Sequence, residues 1–102
     1  MATSTPRSMV EVAELMRRSL PAGISLSQFG TRMRWGRGND DARQRIATLT
    51  REELEAIGLT KQQAEDWAVA YEAVEKLMPE NPSAAGRVEL MRHAVKLFVS
   101  IG

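Results

Sequence analysis

The chain has no cysteine, which excludes disulfides, thiolate catalysis and cysteine-ligated metals. Histidine occurs once, at His93, with no second histidine at metal-ligand spacing and no Ser-His-acid grouping. No run of about 18 apolar residues is present, so no membrane-spanning helix and no membrane partner are expected. Nor does any stretch of strand length alternate apolar and polar residues with β-branched enrichment. After Met1–Arg7, Glu11 and Glu14 interrupt any continuous apolar segment, so no secretory signal is expected. A cytoplasmic location fits both the missing signal and the missing cysteine, with export by a signal-peptide-independent system as the alternative. Internal repeats and low-complexity tracts are absent too.

What is there suits one folded domain. The 102 residues are 43% hydrophobic and 26% charged, too apolar for disorder and enough for a single core. The net charge of +1 hides an asymmetry: residues 1–45 carry +4 and residues 46–102 carry −3. A basic front half points to an anionic partner, or to two halves that attract each other or a second copy.

Helix starts are written repeatedly. Ser8 with Glu11, Ser25 with Gln28, Thr50 with Glu53 and Thr60 with Gln63 all have capping-box spacing. Asn39 reads as the cap of a further helix, with Asp40 and Asp41 at its positive end and Ile46 and Leu49 as its buried residues. Asn81 followed by Pro82 opens the last one. The first helix has an apolar stripe of Met9, Val12, Ala13, Met16 and Leu20, and Pro21 with Ala22 and Gly23 ends it. Leu26, Phe29 and Met33 place a short helix at about 26–34, which Gly36, Arg37 and Gly38 interrupt. Ala64, Trp67, Ala68, Tyr71, Val74 and Met78 form the cleanest stripe, with Glu72 and Lys76 paired on the wet side. In the last helix, Ala84, Val88, Met91, Val95 and Phe98 make one apolar row. Leu90, Ala94, Leu97 and Ile101 make a second, which puts this helix at the centre of the core. Its polar strip is Glu89, Arg92, His93 and Lys96, so His93 reads as a solvated residue. The expected fold is an all-α compact bundle of about five to six helices, two of them long (about 61–78 and 82–100). It occupies residues 8–102 behind a frayed tail at 1–7.

Between Leu54 and Ala64 one helix ends and the next begins with almost no spacer. Gly58 fits the left-handed position past a helix end, and Leu59 then meets Leu54 in a Schellman ending. Thr60 caps the following helix, and Leu59 staples onto Ala64. The segment resembles the helix-hairpin-helix motif of DNA-binding proteins. Gly58, Leu59 and Ala64 match its first glycine, apolar residue and alanine, while Thr60 replaces its second glycine. In that family the hairpin offers backbone N–H groups to a phosphate, so Gly58, Leu59, Thr60 and Lys61 are the alternative phosphate contact. Glu52, Glu53, Glu55, Glu65 and Asp66 surround the turn, and an acidic neighbourhood opposes nucleic-acid binding. The other reading is a capped structural turn.

Arg32, Arg34, Arg37, Arg43 and Arg45 surround Trp35. Arginines can grip phosphate in pairs while an indole stacks a base, and Gly36 with Gly38 can cradle an anion. Set against this, Asp40 and Asp41 can pair with Arg34, Arg37 or Arg43, and Trp35 can plug the core. The candidate binding residues are Arg32, Arg34, Trp35, Gly36, Arg37, Gly38 and Arg43. Glu52, Glu53 and Glu55 sit on a short exposed helix, with no burial to tune a general acid, so no catalytic residue, metal or cofactor is expected. Gly86, inside the last helix at a cost of about 0.8–1 kcal/mol against Ala, makes a smooth patch with Ala84 and Ala85 for close helix approach within the chain.

With these segments in place, the chain resembles an uncharacterised family of small bacterial α-helical domains. The matching pieces are Phe29 and Gly30; Trp35, Gly36 and Gly38 with Ala42 and Arg43; Thr50 and Leu54 into Gly58, Leu59 and Thr60; Ala64 with Trp67; and Asn81, Pro82, Ser83, Ala84, Gly86, Arg87, Leu90 and Met91. They span about residues 29–98 and leave residues 1–28 outside. Members resemble domains found alone or within toxin-type and secretion-associated proteins. The resemblance implies a bacterial, toxin, secretion or phage-linked setting and brings no activity or catalytic residue. The leading expectation is a non-enzymatic protein-interaction module whose partner is another protein or a second copy. The alternative is a nucleic-acid-binding module using Arg32–Arg45.

Overall fold

Side chains close five of the six helix starts in the computed structural model, which describes residues 5–99. The helices are α1 (Met9–Arg18), α2 (Leu26–Met33), α3 (Gly38–Ile46), α4 (Arg51–Ile57), α5 (Lys61–Leu77) and α6 (Ala84–Val99), with no strand among the described residues. Ser25, Thr50 and Thr60 form complete capping boxes. At α1 the box is half made: Ser8 accepts from the Glu11 N–H, but the Glu11 carboxylate reaches back to the Arg7 N–H. Asn81 Oδ1 accepts from the Ser83 and Ala84 N–H groups, the work of an N-cap ahead of Pro82. Of the expected tail, residues 5–7 are described, with Pro6 buried; positions 1–4 and Ile101 lie outside the described residues.

The start of α3 differs from expectation. Asn39 lies inside the helix and does not cap it. Its Oδ1 instead accepts the Gly86 N–H of α6 at 2.8 Å. The reason is Gly86: a Cβ there would stand 2.6 Å from Asn39 Cα, so the missing side chain admits the backbone of α3. At the end of α2 the residue that turns the chain is Arg34, left-handed at φ 54°, two positions before the first glycine of the loop.

The turn between α4 and α5 follows the expected geometry. Gly58 is left-handed at φ 87°, the Leu59 N–H reaches Leu54 O at 3.1 Å, and the Gly58 N–H reaches Glu55 O at 3.0 Å.

Helix α6 packs against α5, α3 and α4, while α1 lies on α5 and α2 on α4. Four of the five aromatic side chains meet at the centre. Phe29 stacks on Trp67 at 4.7 Å, and Trp35 stands edge-on to Phe29, Trp67 and Tyr71 at 5.4, 5.8 and 5.6 Å. Trp67 Nε1 donates to Ser19 O at 2.8 Å, which ties the end of α1 to α5. Because α1 packs mainly on α5, only a narrow strip of it is buried: Val12 and Leu15, with Met9 and Ala13 exposed. Met78 also proves exposed, Glu72 pairs with Arg92 rather than Lys76, and His93 is half-buried.

Replacing Gly86 with Ala should destabilise the protein by about 1–3 kcal/mol through overpacking, although Ala is the better helix former. A thermal melt of G86A that matches or exceeds the wild-type midpoint would contradict this packing.

Candidate functional site

The loop between α2 and α3 is built to bury one ring and leave two cations outside. Arg34, Gly36 and Gly38 are all left-handed, at φ 54°, 63° and 83°. This coiling turns Trp35 inward, where it is 6% exposed, and leaves Arg34 and Arg37 at the surface. The loop is pinned from three sides. Asp41 packs over Gly36, where a Cβ would approach its carboxylate to 2.6 Å, and accepts the Arg37 N–H at 2.9 Å. The Gly38 N–H donates to Ser83 Oγ at 3.1 Å. From α6, Arg87 donates to Gly36 O at 3.0 Å and to the Tyr71 hydroxyl at 3.1 Å. Its guanidinium lies 4.5 Å above the Trp35 ring and 5.5 Å from that of Tyr71.

Between this loop and α2 opens a cleft of about 510 Å³. Leu26, Ser27, Gly30 and Thr31 form its α2 side; Arg34, Trp35, Gly36, Arg37, Tyr71 and Arg87 complete it. Three guanidinium groups border it and no carboxylate does. A second hollow of about 350 Å³ on the other side of the loop shares Arg34 and Gly36 and includes Asp41 and Arg45.

The predicted site residues divide. Arg34, Trp35, Gly36 and Arg37 come together at the cleft. Gly38 serves the turn, Arg43 pairs with Glu89 at 2.7 Å, and Arg32 is exposed outside the cleft lining. The arginines do pair within the chain, but with Glu53 and Glu89 rather than with Asp40 or Asp41. Trp35 is a core residue, and a base stacked on its outer face would have to displace Arg87. At the Gly58 turn, Thr60 Oγ1 accepts the Gln63 N–H and Gln63 Oε1 accepts the Thr60 N–H. Leu59 is buried and Lys61 faces Glu65 at 3.7 Å, so two N–H groups that a phosphate would need already have partners.

Two arginines have roles the linear reading did not assign. Arg87 lies on the same helical row as Ala84 and Met91, and that spacing, with its place among the family-resembling positions, is the signal the sequence carries. Arg45, placed in the basic cluster, is 5% exposed. Its Nε donates to Met33 O at 2.8 Å and Nη2 to Glu53 Oε2 at 2.7 Å. Glu53 also receives Arg34 and the Thr50 N–H, so it is a half-buried node rather than a free surface acid. The hydrogen bond from Arg45 holds its pKa down to about 2 against the opposing effect of burial, with the Thr50 bonds helping. Burial raises the Tyr71 pKa despite the charge of Arg87. The cleft therefore offers fixed positive charge and hydroxyl donors, a set suited to holding an anion rather than moving a proton. Among the described residues no cluster of His, Asp and Glu is placed to hold a metal ion, and no helix is long and apolar enough to cross a membrane.

Residues 5–98 match the family described as Domain of unknown function (DUF4951). The chain belongs to the DUF4951 family. No curated protein and no solved structure matches it. The match begins well before residue 29, so α1 is part of the DUF4951 domain and not an addition to it, as its packing on α5 requires.

Because Glu53 has a depressed folded pKa, its ion pair stabilises the protein fully above the ordinary carboxyl value of 4.5, and that contribution is lost as pH falls toward about 2. The E53Q variant should melt lower than wild type at neutral pH, and the gap should narrow across that acid window. A gap that stays constant with pH would show that the pair does not supply this stability.

Proposed function

We propose that this DUF4951 domain is a non-enzymatic protein-interaction module whose contact surface is the cleft of Arg34, Arg37 and Arg87. The observation that carries the reading is a hollow bordered by three guanidinium groups and no carboxylate. None of the groups lining it is an acid or base suited to proton transfer near neutral pH. A bacterial toxin, secretion or phage-linked setting is part of the proposal and is supported by the resemblance of motifs alone. So is a cytoplasmic location, or export without a signal peptide.

Nucleic-acid binding is the second reading, favoured by the same three guanidiniums. It is weakened by the burial of Trp35, which removes the stacking platform, and by the satisfied N–H groups of the Gly58 turn.

A photo-crosslinking residue placed at Arg37 in the native host should give a discrete protein adduct. The same residue at Lys96, exposed on α6 and outside the cleft, should not. Equal labelling from both positions would count against the cleft. A salt-sensitive electrophoretic shift on random DNA or RNA at micromolar protein would favour the second reading instead.

A further inference from the structure

Leu26 is the one large apolar residue of α2 that the fold does not bury. It opens the helix, is 50% exposed, and leaves the core work to Phe29 and Met33. It also borders two hollows at once. On one side is the cationic cleft; on the other is a groove of about 300 Å³ between α1 and α2, lined by Ala13, Met16, Arg17, Leu20 and Leu26. The surface is thus continuous: an apolar trough that leads over Leu26 into a ring of guanidiniums. The trough adds the cation Arg17, and no carboxylate lines either part.

We infer that this surface takes an acidic peptide segment of a partner protein, with an apolar side chain seated in the α1–α2 groove and neighbouring carboxylates in the Arg34–Arg37–Arg87 cleft. The inference rests on the interaction-module reading above and names the chemistry of the partner. Charge complementarity selects the occupant. Guanidinium groups bind carboxylates through paired charge-assisted hydrogen bonds, and a basic segment would add positive charge to a surface where, among the described residues, only Arg34, through Glu53, has a carboxylate partner. The groove separates a peptide from a nucleic acid, because a phosphodiester chain has no aliphatic side chain to fill it. Arg87 is already fixed by Gly36 and Tyr71, so one cation is in place before binding, which lowers the entropy cost of docking.

A phage-displayed random peptide library selected on the whole protein tests this. Enriched sequences should carry Asp or Glu close to a large apolar residue. A labelled peptide from that pool, measured by fluorescence anisotropy, should lose about ten-fold or more in affinity to the R34N/R37Q double variant and weaken with added salt. Asn is chosen at 34 because it tolerates the left-handed backbone there. L26S should weaken the same peptide several-fold. Both variants should keep the wild-type circular dichroism, and R34N/R37Q should melt within a few degrees of wild type, since Leu26 and Arg37 are exposed and Arg34 gives up only its exposed pair with Glu53. Enrichment of basic or charge-indifferent sequences, or an affinity indifferent to Leu26, overturns the inference. If the Arg37 crosslink still captures a protein in that case, the interaction-module reading stands without the acidic-peptide assignment. No adduct and no enriched peptide overturn both.

Discussion

The guanidinium of Arg87 joins the core to the surface. It lies 4.5 Å over Trp35, bonds the Tyr71 hydroxyl, and holds Gly36 O from the far end of the sequence. Each contact alone is modest, roughly 0.5–2 kcal/mol. Together they seal the outer side of the aromatic cluster and pin a loop with three left-handed residues. A non-glycine residue such as Arg34 adopts that backbone at a cost of about 1–2 kcal/mol, so the loop needs contacts elsewhere to hold it. One Arg87 atom remains unsatisfied: Nε is buried without a hydrogen-bond partner among the described residues. The ring contacts offset part of that cost. They also keep the charge at the edge of the cleft instead of letting it swing into solvent.

A second arginine organises the opposite side of the same loop. Arg45 comes from α3, takes Met33 O at the end of α2, and meets Glu53 of α4. Three helices that share few direct contacts are therefore fastened through one nearly buried ion pair. Such a pair gives little net stability against an apolar substitute, but removing one partner strands a charge. Its value lies in register. The Met33 carbonyl can accept from Arg45 Nε only if α2 stops where Arg34 turns left-handed, which sets the cleft residues in place. Glu53 also closes the capping box of α4, so the start of that helix and the end of α2 are decided by one carboxylate.

The contrast between these arginines and the caps explains what was legible in the chain. Capping boxes at Ser25, Thr50 and Thr60, the Gly58 ending, and the stripe from Ala64 to Val74 involve partners within a few residues, so sequence spacing reveals them. Arg87 meets Gly36 across 51 positions and Asn39 meets Gly86 across 47, and no local pattern encodes either contact. Charge misled in the same way. The charge of Arg45 and Glu53 suggests the surface, yet Arg45 sits at the i, i+3, i+7 spacing of Ala42 and Leu49, as Arg87 does between Ala84 and Met91. The periodicity placed both on the buried side; their chemistry argued the other way. The glycine-flanked Trp35 loop was found, but its tryptophan belongs to the core and its third cation comes from α6.

The cleft also has an internal competitor. Arg34 is held by Glu53 at 3.0 Å, so an incoming carboxylate shares that guanidinium or displaces an acid already in place. Glu53 gives up little by losing Arg34, because Arg45 remains and is the better-buried partner. The exposed pair is worth about 0–1 kcal/mol, less than a carboxylate held by two guanidinium groups through paired hydrogen bonds can return. Arg34 is therefore tethered loosely enough to change partners, whereas Arg45 is not. The same node that fixes the loop leaves one of its two bound arginines available at the surface, and an encounter surface with one fixed, one loosely tethered and one exposed cation favours recognition that is selective for charge and readily reversed.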